Sequence, residues 1–100
     1  MSRDRVVLHA PTADALARAR SNLRNLRYAE PDVEALILAN ADGALAALKQ
    51  SDPDTDAALR LCANTLAKNG RKAPPGVETV DAVIAALLRL QRDGWVYVRA

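Results

Sequence analysis

Arg5-Val6-Val7-Leu8-His9-Ala10-Pro11-Thr12-Ala13-Asp14 holds, within ten residues, the change of pattern that decides the fold. Residues 5–9 are a short apolar run rich in β-branched side chains, closed by Ala10-Pro11, and read as a buried first strand. Thr12 has the side chain of a helix N-cap, and Asp14 puts an acid in the first turn, where the helix dipole favours it. Leu16, Ala19, Leu23 and Leu26 follow at spacings of three, four and three, which marks one apolar helix face.

The same change recurs along the chain. Pro31-Asp32 breaks the helix, and Val33 to Ala39 is a second apolar strand interrupted only by Glu34. Asn40-Ala41-Asp42-Gly43 reads as a tight turn before a short helix from Ala44 to Lys49. A hydrophilic loop, Ser51-Asp52-Pro53-Asp54, leads to a third strand over Ala57 to Cys62. The next short helix has Asn64 near its N-cap and Gly70 as its stop. Val77 to Val80 is a fourth strand. Asp81 then caps a helix with Val83, Ile84, Leu87, Leu88 and Leu90 on one side, and Trp95 to Val98 is the last strand after Gly94. Alternation of this kind predicts an α/β fold with a mainly parallel five-stranded sheet covered by helices on both faces. One hundred residues make a single domain, 1–100, and at this size association into a homo-oligomer is expected to add stability.

Charge and composition exclude several classes. The net charge is +2 and the aromatic residues are Tyr28, Trp95 and Tyr97, so no basic, aromatic-lined surface for nucleic acid is expected. Arg20, Arg24 and Arg27 share a helix face, which reads as solvated more readily than as an anion or partner site. No apolar run is long enough to span a bilayer, and Met1 to Arg5 shows no signal-peptide pattern. One cysteine permits no internal disulfide, and no Cys/His spacing suits a metal, so a cytoplasmic protein without cofactor or metal is expected.

In parallel sheets ligands bind beyond the carboxyl ends of the strands. Three segments place polar residues there: His9, Asn40 to Gly43, and Cys62 to Thr65. Cys62 stands out. It precedes a helix start, where free N–H groups stabilise a thiolate, the nucleophilic form. Asn64 and Thr65 supply such amides. His9 would serve as base or orienter if strands one and three are neighbours, and is otherwise a satisfied strand-end histidine. The amides of Asn40 to Gly43 could cradle an anion, although most such turns are only turns. A buried, inert packing role is the competing reading of the lone cysteine.

Leu61-Cys62-Ala63-Asn64-Thr65-Leu66-Ala67-Lys68-Asn69-Gly70 resembles the cysteine segment of the DsrE/DsrF-like sulfur-relay family. Val7-Leu8-His9-Ala10, Leu38-Ala39-Asn40 and the ending Leu90-Gln91-Arg92-Asp93-Gly94-Trp95-Val96-Tyr97-Val98 agree with it, so the similarity covers nearly the whole chain. The resemblance implies a three-layer α/β/α sandwich assembled into trimers or hexamers, with the cysteine near a subunit boundary. It also implies that Cys62 carries sulfur as a persulfide between donor and acceptor proteins. The alternative is a non-enzymatic oligomeric binding module with a structural cysteine. A nucleic-acid-binding regulator is the third and weakest class.

Overall fold

The computed structural model describes residues 4–100, so the reading of Met1 to Arg3 as lacking a leader pattern lies outside the described residues. The elements in chain order are β1 (Arg5–Ala10), α1 (Ala13–Ala29), β2 (Glu34–Ala39), α2 (Ala41–Lys49), α3 (Pro53–Asp56), β3 (Leu59–Cys62), α4 (Ala63–Lys68), β4 (Glu78–Val80), α5 (Val83–Arg92) and β5 (Val96–Arg99). The five strands form one sheet in the order β4-β3-β2-β1-β5, and every pairing is parallel. The fold is a three-layer α/β/α sandwich, as expected.

The layers are unequal, and the topology explains why. Successive crossovers from β1 to β4 step in one direction along the sheet, so crossovers of one hand keep their helices on one face. The connection from β4 to β5 returns across the sheet, which sends α5 to the other face. The first face is packed by Leu16 and Leu23 of α1, Ala44 and Ala47 of α2 and Leu66 of α4 against Leu8, Ile37, Leu59 and Leu61. The second is packed by Val83, Ala86 and Leu87 of α5 against Val7, Leu38 and Cys62. Leu16, Leu23, Ile37, Leu38, Leu59 and Leu61 are fully buried, and each such side chain contributes about 1.5–3 kcal/mol from leaving water.

The start of α1 follows the sequence: Thr12 Oγ1 accepts from the Ala15 N–H at 3.0 Å. Elsewhere the structure corrects the reading. The segment Asn40–Gly43 is not a turn; α2 begins at Ala41, with Asn40 as its N-cap residue. The hydrophilic loop contains α3, so β3 starts at Leu59 rather than Ala57. Cys62 itself, not Asn64, is the N-cap residue of α4, and Ala82, not Asp81, that of α5. Asp81 instead accepts from the Ala82 N–H and pairs with Arg89.

Candidate functional site

Alternation along the strands puts His9, Asn40, Cys62 and Tyr97 on the α5 face, at or near the carboxyl ends. The register sets their order across the sheet. His9 lies level with Leu38 and Arg99, and Cys62 lies level with Val80. Ala39 pairs with Leu61, so Asn40 falls opposite Cys62. Strand β2 separates β1 from β3, and the condition for His9 to act directly on Cys62 is not met. Asn40 stands between them.

His9 is held from both sides. Asn40 Oδ1 can only accept, so His9 Nε2–H donates to it at 3.0 Å. In the neutral ring Nδ1 then accepts, and the Tyr97 hydroxyl donates to it at 2.7 Å. The two rings lie tilted at 49° with centroids 5.7 Å apart. Because its oxygen is committed to His9, Asn40 makes no side-chain capping bond to α2. Tyr97 was not legible as a site residue, because nothing in the local pattern announces that β5 pairs with β1.

After Asn40 the chain turns through Ala41 at φ 49°, a left-handed conformation that a residue with a Cβ adopts only at a cost. Its N–H donates to Thr65 Oγ1 at 3.1 Å, which ties the start of α2 to the first turn of α4. With that lone pair engaged from outside, the Thr65 hydroxyl proton is free to turn toward the Cys62 sulfur.

Cys62 is 5% exposed, and the donors at the start of α4 face its sulfur without closing a capping hydrogen bond. Burial pushes its thiol up. The Thr65 hydroxyl and the N–H groups of Thr65, Val83 and Asn64 face the sulfur and outweigh burial, holding the thiol below its ordinary value. The Asn64 N–H contributes least of these, since it also donates to the Asp81 carbonyl at 3.2 Å. Thr65 and Asn64 thus lie where the sequence suggested, and Val83, at the start of α5, is an addition. A group so placed can hold a thiolate inside a mostly apolar cluster.

Gly43 does not belong to this site. It is buried in α2, and a Cβ there would lie 2.0 Å from the Ala10 carbonyl oxygen. The glycine is needed for the close approach of α2 to β1. The arginine stripe is solvated at Arg24 and Arg27 but not at Arg20. Arg20 is buried and bonds Thr55 Oγ1, Asp56 Oδ1 and the Gln50 carbonyl. Arg24 pairs with Asp52 and Asp54, and Arg27 donates to the Asp54 carbonyl. A surface groove lined by Thr12, Asp14, Asp42, Leu45 and Lys49 lies on the α1–α2 side, away from Cys62. Among the described residues no group of His, Cys, Asp and Glu could hold a metal ion, and no helix is long and apolar enough to cross a membrane.

No protein-family model matches the sequence, and no curated protein matches it. Among solved structures the chain is similar to a protein of unknown function, MTH1491 from Methanobacterium thermoautotrophicum. The TM-score is 0.78 and the identity 23%, over 97% of this chain and 99% of that one. At this identity the likeness concerns the fold alone.

Proposed function

We propose that the protein is a sulfur-relay carrier of the DsrE/DsrF-like kind, with Cys62 as the sulfur acceptor. The observation that carries this reading is the set of donors around the Cys62 sulfur, which favours the thiolate in spite of burial. The thiolate attacks the outer sulfur of a donor persulfide, R–S–SH. A bond forms between Cys62 Sγ and that sulfur, the donor S–S bond breaks, and R–S⁻ leaves with the electron pair. Attack by an acceptor thiolate on the outer sulfur of the Cys62 persulfide then returns the Cys62 thiolate. Neither step needs an external oxidant or reductant. Asn64 and Thr65 stabilise the sulfur anion, and His9 orients Asn40 beside it. The carrier works in the cytoplasm as a homo-oligomer, a trimer or hexamer, with donor and acceptor proteins as its further partners.

Incubation with a low-molecular-weight persulfide, followed by intact mass, tests the reading. A gain of one sulfur atom that disappears in Cys62→Ser supports it; an unchanged mass after full exposure to the donor rules it out. A second reading rests on the 5% exposure of Cys62 and its packing with Val7, Leu38 and Val83. In that case the thiol is structural and the protein is an oligomeric binding module. Cys62→Ser then destabilises fold or assembly, with no sulfur adduct in the parent protein.

A further inference from the structure

The helix that covers Cys62 is held to the sheet mainly by apolar contact. Val83, Ala86 and Leu87 of α5 pack with Cys62, Val7 and Leu38, while the opposite outward positions Ile84 and Leu88 are 78% and 52% exposed. Apart from the Val83 N–H that faces the Cys62 sulfur, no side-chain hydrogen bond or salt bridge among the described residues joins Val83–Arg92 to another helix or strand. Arg89 bonds Asp81 and Gln91 bonds the Leu87 carbonyl, both within the helix and the bend before it. The strand that leads in, β4, is a three-residue edge strand with Glu78 and Thr79 exposed. It is held from the side by the Arg60–Glu78 pair. At the far end, the Arg5 guanidinium donates to the Asp93 carbonyl and lies over the Trp95 ring.

Two glycines bound this segment. Gly76 has φ 83° and Gly94 has φ 94°, and nothing lies within 4 Å of where a Cβ at Gly76 would be. Residues able to absorb a large backbone change therefore sit at both ends of a stretch held by the three-residue β4 ladder, the Arg60–Glu78 pair and, along α5, apolar contact on a single face. We infer that residues 77–93 form a flap over Cys62, and that local unfolding of this flap, with the rest of the sheet intact, is what admits reagents to the thiol. The flap concerns access alone and holds whether or not Cys62 carries sulfur.

Labelling of the native protein by a thiol reagent, without any sulfur donor, tests this with two matched helix substitutions. Ala85→Gly lies in the flap, and Ala17→Gly lies in α1 on the other face. Each carries the same intrinsic helix penalty. The flap requires Ala85→Gly to speed Cys62 labelling about fivefold and Ala17→Gly to leave it unchanged. It also requires the α5 amides to exchange hydrogen well before those of β1 and β2. Equal acceleration by both variants means that the thiol is reached through unfolding of the whole domain, and overturns the proposal. So does a parent protein that labels as fast as its denatured chain, or a rate that neither substitution changes.

Discussion

Cys62 has opposing influences on one atom, and their balance has a sign that can be followed into stability. Burial disfavours the thiolate, and the hydroxyl and N–H groups of Thr65, with those of Val83 and Asn64, favour it more. A thiol held below its unfolded value adds stability that is present above about pH 8.5, the ordinary thiol value, and is lost as pH falls through the folded value. The parent protein therefore gains melting temperature over Cys62→Ala as pH rises from neutral to mildly alkaline; a difference that is flat across that range contradicts it. Ultraviolet titration of the thiolate should place its midpoint below that of the unfolded chain, with Thr65→Val raising the midpoint and Thr65→Ser restoring it. Gly43 carries a different prediction. Its missing Cβ would meet the Ala10 carbonyl oxygen at 2.0 Å, and neither backbone can yield without separating α2 from β1. Gly43→Ala should lower the unfolding free energy in urea by about 3 kcal/mol, the upper end for overpacking. No local sequence rule reveals Gly43 in that role, because the atom it avoids belongs to another strand.

Helix α3 and the arginines of α1 show where the sequence ceased to be legible. Residues 51–56 look like a solvated acidic loop, and Arg20, Arg24 and Arg27 look like a solvated basic face. The two segments are about thirty residues apart and satisfy one another. Periodicity reports the face a side chain occupies, not the distant segment that will cover it. The strand-then-helix pattern of β1 and α1 was legible because strand run, N-cap and apolar face are all local signals. In α5 the apolar face is two rows wide, Val83–Leu87 and Ile84–Leu88, and the pattern cannot tell which row meets the sheet. Burial separates the arginines. Asp56→Asn leaves the guanidinium of Arg20, which is 6% exposed, without its counter-charge. It should cost about 2 kcal/mol in urea unfolding, below the usual range for a fully buried pair because Asp56 is partly exposed. Arg24→Ala breaks an exposed pair and should change stability little at neutral pH. That small cost is fully present at neutral pH and fades in acid. The hydrogen bond from the Arg24 side chain holds the Asp52 carboxyl below its ordinary range. That contribution is present above about pH 4, the unfolded value, and is lost as pH falls through the folded value. The parent should lose its advantage over Arg24→Ala below that pH; an advantage that persists in acid would show that the pair contributes through packing instead.

Across the whole molecule the sheet is thick on one side and thin on the other. A helix is about 10 Å across, whereas five strands at about 4.8 Å spacing are nearly twice as wide, so α5 alone cannot cover its face. Tyr97 of the edge strand β5 is left exposed on that face; Val96 and Val98 are exposed on the other, and Ile84 and Leu88 point outward from α5. The two sheet edges also differ. The β4 edge is short and carries Glu78, while β5 presents Val-Tyr-Val with no charge, proline or bulge before Arg99, and edges of that kind are normally covered or blunted. A hundred-residue chain with so small a core on one face gains most from burying these groups against further copies of itself. Sedimentation of the parent protein is expected to show a trimer or hexamer at micromolar concentration. Ile84→Asp with Leu88→Asp should dissociate it while the far-ultraviolet circular dichroism of the monomer is kept, because neither side chain packs in the core. A parent that sediments as a monomer, with these residues in water, would remove the oligomer from the proposed function. The Cys62 chemistry would then have to be completed by this chain alone.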